Sequence, residues 1–168
     1  MEPLVATCDW LVTQVQLHAA LLVPQLQPGL SKEVITAHLA DLHGHLSQEV
    51  LAFYGWHNGQ ALNHDGDLMP WHLFVPLERA RRVYQQTLGQ RGPYARWHET
   101  WWPIWIDEDG RQTHFVASQP HPHAASPIYT LGTSHHRQEV WMAYDSLTTM
   151  LATLAACYAT GAYWLAWT

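Results

Sequence analysis

Lysine is nearly missing from this chain. Lys32 is the only one in 168 residues, and 14 acidic residues against 8 basic ones leave a formal net charge of −6. A nucleic-acid-binding domain needs a basic face that releases counterions from phosphates, so this balance argues against one. Charged residues make up only 13% of the chain and hydrophobic ones 48%, which excludes a disordered class. Cysteine is scarce too. Cys8 and Cys157 lie at opposite ends without metal-type spacing, so they read as reduced core thiols and not as a disulfide framework. No run of about 18 uncharged apolar residues occurs, which excludes a membrane-spanning helix. The opening MEPLVATCDW has no basic region of the secretory-leader kind. The resulting expectation is a cytoplasmic protein, with 168 residues fitting one domain that buries its own core.

Catalytic signatures are missing as well. There is no GxGxxG or P-loop for a nucleotide, no HExxH for zinc, and no GxSxG elbow for a serine nucleophile. No cofactor is therefore expected. What the chain does hold in excess is tryptophan, with ten residues, and histidine, with thirteen.

Hydrophobic spacing supplies the elements. Val5, Cys8, Leu11, Val12, Val15 and Ala19 recur at three- and four-residue intervals and predict an amphipathic helix over 4–22. Pro24 and Pro28 break it. A second helix is predicted from the N-cap Ser31 to Gly44, with Val34, Ile35, His38, Leu39 and Leu42 on its face. A third opens at Ser47 and carries Val50, Leu51, Phe53 and Tyr54. It is read as stopping at Asn58-Gly59, one of which would take the left-handed conformation of a helix end. The segment 71–77 predicts a short strand, and 78–89 a helix whose arginines form a solvated face.

The segment WWPIWIDEDGRQTHFVAS over 101–118 is the clearest hairpin, turning at Asp107-Glu108-Asp109-Gly110. Strict alternation puts Trp101 and Trp105 on one face and Trp102 on the other, with Trp102 favoured as core. Pro103 is expected on an edge or at the strand start. PIYTLG and EVWMAY predict two more strands. A last helix runs from the N-cap Asp145 to Gly161, presenting Leu147, Met150, Leu151, Leu154 and Cys157 or Tyr158. Helices, then strands around one helix, then a helix predict an α+β fold with a central antiparallel or mixed sheet and four to five helices.

This linear pattern resembles the SUKH superfamily, the group related to fungal Smi/Knr cell-wall assembly regulators. The resemblance rests on L-S-x-E-V-L-x-F-Y-x-x-H-N-G, a strand ending in Pro-Leu-Glu, W-x-P-I before an acidic-glycine turn, and a C-terminal helix opening D-S-L. It covers 29–163 of a single domain over 1–168, with an N-terminal helix and a proline-rich connection before it. Asn58 and Gly59 match the family's Asn-Gly. Trp102, Pro103 and Ile104 match its aromatic-Pro-aliphatic strand, Gly110 its hairpin glycine, and Asp145 and Leu147 the start of its last helix. Arg111 and Ser118 stand where many members carry acidic residues, which puts any ligand role of those positions in doubt. The resemblance implies a compact α+β domain without a known catalytic set. Bacterial members are often predicted to be immunity proteins that neutralise toxins, frequently nucleases, and fungal relatives act as regulatory interaction proteins.

The implied partner is thus a protein, such as a toxin domain, with neither nucleic acid nor membrane involved. The candidate binding surface is the loop of Asp65, Asp67 and Trp71 together with Asp107, Glu108 and Asp109, whose carboxylates would steer a basic partner. Two other classes compete. His121, His123, His135 and His136 with Asp65 and Asp67 could serve a metal-dependent hydrolase, although surface loop histidines are the favoured reading, since His121 and His123 lie in a proline-rich loop and adjacent strand residues such as His135 and His136 point to opposite faces. Exposed tryptophans could serve a carbohydrate-binding module. His57-Asn58 as a catalytic pair would need a nucleophile, and both cysteines fall on predicted core faces.

Overall fold

A computed structural model describes residues 2–61, 66–88, 97–107, 112–134 and 137–162. It is an α+β fold with one five-stranded antiparallel sheet and a separate two-stranded one. Among the described residues no helix is long and apolar enough to cross a membrane.

Helix α1 spans Glu2–His18 and buries Leu4, Cys8, Leu11 and Val15. Leu4 replaces Val5 at the start of the stripe, and Val5 faces solvent. The chain then tightens into a 3-10 turn, Ala20–Gln25, around Pro24. Strand β1, Leu26–Pro28, follows. Helix α2, Lys32–His38, is capped by the Ser31 hydroxyl, which accepts from the Val34 N–H. It ends six residues short of Gly44. The freed segment carries Asp41 to Arg81 and Gln85, with Gln85 Nε2 donating at 2.9 Å.

Helix α3, Gln48–Trp56, starts where expected but is capped differently. The Ser47 hydroxyl makes no cap bond. The N–H groups of Gln48 and Glu49 donate instead to the carbonyls of His123 and Ala124, at 2.9 and 3.1 Å. The histidine- and proline-rich loop therefore closes a helix end that would otherwise hold orphan donors. Phe53 is fully buried and its ring lies 4.2 Å from Phe74 and 6.3 Å from Trp105.

Asn58-Gly59 is not the end of α3. The helix stops at Trp56, and His57–Gln60 is strand β2, antiparallel to β1. Gly59 does take a left-handed φ of 72°, for a reason outside the helix. A Cβ there would stand 2.7 Å from the Phe74 carbonyl oxygen and closer still to Pro76 N, so only glycine lets the two backbones touch.

Strand β3, His72–Phe74, leads into helix α4, Leu77–Leu88. Strands β4, Trp101–Asp107, β5, Gln112–Ala117, β6, Ile128–Ser134, and β7, Arg137–Tyr144, complete the sheet in the order β3-β4-β5-β6-β7. The predicted hairpin is β4–β5, while its turn residues Glu108, Asp109 and Gly110 lie outside the described residues. Pro103 sits in an interior strand and not on an edge. It lies beyond the stretch Trp105–Asp107 that β3 pairs, so its missing donor removes no bond from that ladder. A register shift between Pro103 and Trp105 inserts one residue and breaks the alternation. Trp102 and Trp105 consequently both point into the helical layer, buried against Tyr84 and Phe53, while Trp101 stacks on Phe115 at 4.2 Å on the other face.

Helix α5, Leu147–Thr160, packs on α1. Its N-cap is Ser146, whose hydroxyl accepts from the Thr149 N–H at 3.1 Å, and not Asp145 one residue earlier. Gly161 closes it at φ 71°. Its inner face is Leu147, Met150, Leu151, Leu154, Ala155 and Tyr158, with Cys157 half-buried at the side.

Candidate functional site

Antiparallel pairing of β3 with β4 sets His72 opposite Asp107, so Trp71 and Asp107 share one corner of the sheet. Trp71 is 55% exposed and holds φ 58°, the only positive value for a non-glycine residue among those described. The left-handed region is costly for a bulky side chain, and such residues collect where a side chain must be presented. A tight turn fixes it, closed by the His72 N–H donating to the Met69 carbonyl at 3.0 Å.

Asp67 does not join this surface. It is only 4% exposed, because the turn at 66–68 is drawn inward by Gln60. The Gln60 amide donates to the Gly66 carbonyl at 3.3 Å, and its carbonyl oxygen accepts from the N–H groups of Leu68 and Phe74 at 3.1 and 3.4 Å. Tyr158 adds a bond from its hydroxyl to the Leu68 carbonyl at 3.1 Å. Asp65, Glu108 and Asp109 lie outside the described residues.

Beneath the corner lies a histidine pair that motif reading passes over. His72 and His114 have ring centroids 4.8 Å apart. His72 Nδ1 donates to the Pro70 carbonyl at 2.7 Å, which leaves Nε2 as the lone-pair nitrogen when the ring is neutral. His114 Nδ1 and Thr130 Oγ1 are 2.7 Å apart inside the sheet. Burial, and secondarily the neighbouring His72, pushes the His114 pKa down to about 4, so this imidazole is neutral at physiological pH. The Thr130–His114 separation suits a nucleophile and its base, yet Thr130 is 1% exposed and no substrate carbonyl can reach it. The one signal for this pair in the sequence is the alternation Thr113-His114-Phe115, which sends His114 to the face opposite Phe115.

The other chemical candidates separate. His57 Nδ1 donates to the Gln27 carbonyl at 2.7 Å, while the Asn58 side chain turns to Leu77 and Glu78. His121 is exposed, and His123 Nε2 lies 2.8 Å from Ser126 Oγ within the loop that caps α3. His135 and His136 lie outside the described residues. Among the described residues no three His, Cys, Asp or Glu side chains come together as a metal-holding group. Among the described tryptophans, Trp10, Trp71 and Trp141 are the well-exposed ones, and they stand on α1, the β3 turn and β7.

No protein-family profile matches the chain, and no curated protein matches it.

Proposed function

We propose that this chain is a non-catalytic protein-binding module of the SUKH type, an immunity or regulatory protein that acts in the cytoplasm by occluding a partner such as a toxin domain. The observation that carries the reading is the sheet corner, where Trp71 is exposed in a left-handed turn beside Asp107. A large ring held on a short turn is an anchor of the kind that dominates interface energetics, and its fixed backbone limits the entropy lost on docking. Asp107 and the net charge of −6 favour a basic partner and raise its rate of encounter.

Support for the family reading comes from where its matching residues lie. Asn58 and Gly59 join the helical layer to the sheet, and Trp102, Ile104 and Leu147 are core. A motif made of buried joints and core residues describes a fold and leaves the surface free to suit each partner. The test is co-expression with the polypeptides encoded beside this chain's gene. Co-purification with the wild type and its loss in Trp71→Ala with Asp107→Asn support the reading. A complex indifferent to both substitutions overturns the surface assignment.

A further inference from the structure

Residues 69–72 form a four-residue turn, closed by the His72 N–H donating to the Met69 carbonyl at 3.0 Å. Its two central residues are Pro70 and Trp71. Proline fixes its own φ near about −65°, and Trp71 stands at φ 58°. A negative value followed by a positive one is the type II turn, whose second central place normally belongs to glycine or asparagine. Tryptophan holds that place here, at a cost in backbone strain. A less strained alternative is close at hand. The type I turn keeps the same closing bond and accepts the same proline, and it gives the second central residue a negative φ that tryptophan adopts freely. Passing from one form to the other takes a flip of the single peptide plane between Pro70 and Trp71. The flip reverses the Pro70 carbonyl and re-aims the Trp71 side chain.

That carbonyl is the group His72 holds. His72 Nδ1 donates to it at 2.7 Å, a bond that reaches across Trp71 and pins the one plane on which the two turns differ. The imidazole is braced in its turn. Its backbone is fixed by pairing opposite Asp107 in the sheet. The His114 ring lies 4.8 Å away, centre to centre, and is itself tied to β6, with Nδ1 2.7 Å from Thr130 Oγ1.

We infer that His72 is the positioning residue of the Trp71 anchor: its Nδ1 clasps the Pro70 carbonyl, locks the turn in its type II form and so keeps the indole presented. The inference rests on the binding role proposed for Trp71 and adds how that role is maintained. The turn has two forms, one strained and one relaxed, and His72 sets their populations.

The first measurement needs no partner. In a type II turn the Pro70 ψ of about +120° brings its Hα close to the Trp71 N–H, and in a type I turn, at about −30°, the two are well apart. The NOE cross-peak between them, recorded on the full isotope-labelled chain, should be strong in the wild type. It should stay strong in His72→Asn, whose amide nitrogen takes the place of Nδ1. It should weaken in His72→Leu, which has no donor, and in His72→Gln, whose amide reaches the place of Nε2. The amide spectrum of each variant confirms that it is folded. The second measurement is calorimetric titration with the polypeptide that co-purifies with the wild type. His72→Leu should weaken binding by about three- to tenfold, and should add nothing further in a Trp71→Ala background. An unchanged cross-peak in His72→Leu overturns the inference, and so does one kept in His72→Gln and lost in His72→Asn. An equal loss of affinity in both backgrounds overturns it too. A cross-peak that follows His72 while Trp71→Ala binds like the wild type upholds the clasp and removes only the binding role proposed for the corner.

Discussion

The side-chain oxygen of Asn58 accepts a hydrogen bond of 2.8 Å from the backbone N–H of Leu77, the first residue of α4. A helix begins with N–H groups that have no partner within the helix, and the usual remedy is the residue just before it. Here that place is taken by Pro76, which lacks a polar side chain, and the cap arrives from 19 residues upstream. The Asn58 amide also donates to the Glu78 carboxylate at 3.1 Å. One buried side chain thus ties the two-stranded sheet to the first turn of α4.

Asn58→Ala removes that cap and leaves the Leu77 donor buried and unpaired. The expected loss is about 1–3 kcal/mol in urea unfolding, without a change in the denaturant slope. Asn58→Asp keeps the acceptor but sets a second carboxylate against Glu78. Its deficit should be larger at neutral pH than at pH values low enough to protonate carboxylates.

Gly59→Ala should cost more than a helix-cap loss, about 3 kcal/mol or above, because left-handed strain adds to a backbone collision that no rotamer relieves. A loss below about 1 kcal/mol would mean that the Gly59 and Phe74 backbones are not in contact.

His114 predicts a pH dependence with a defined sign. Burial lowers its folded pKa to about 4 from an ordinary 6.5, so the unfolded chain binds more protons between these values. Its contribution to stability is present above about pH 6.5 and is lost as pH falls toward 4, amounting to about 2–3 kcal/mol. Carboxylates also titrate at the lower end of this window. The informative quantity is the difference between wild type and His114→Gln, measured by thermal unfolding at pH 7, 6 and 5. The wild type should lose stability faster than the variant over that range.

The two thiols should behave differently. Cys8 is 1% exposed, and burial, with the Asp9 carboxylate adding to it, pushes its pKa up to about 12. Cys157 is half-buried on the wall of an apolar cavity of about 180 Å³ lined by Met69, Tyr144, Met150 and Leu154. Native labelling with a small aromatic disulfide should titrate one thiol, lost in Cys157→Ser, and denaturant should reveal the second.

Local signals were legible where the residue itself carries the instruction. Gly161 ends α5 in the left-handed conformation that its place after an apolar stripe implies, and Ser31 caps α2. Period-two alternation located β4 and β5. The alternation failed at Trp105 because a bulge is set by pairing between strands, and no residue near Pro103 specifies it alone. Asp67 read as a loop carboxylate, yet its burial depends on Gln60, which anchors the 66–68 turn through bonds to residues six and more positions away. Asn58-Gly59 misled for the same reason, since both residues answer to α4 and β3 and not to the helix they follow. The candidate corner was partly legible. Trp71 and Asp107 are read from the sequence as parts of one surface, and the β3–β4 register supplies the physical reason, while Asp67 drops out of it by burial.

The central claim is that this protein binds another protein through Trp71 at the sheet corner. Calorimetric titration of the polypeptide that co-purifies with the wild type, against wild type and Trp71→Ala, measures it directly. Loss of a central tryptophan anchor should weaken affinity by about 30-fold or more, equivalent to about 2 kcal/mol. Equal affinities for the two forms would contradict the account.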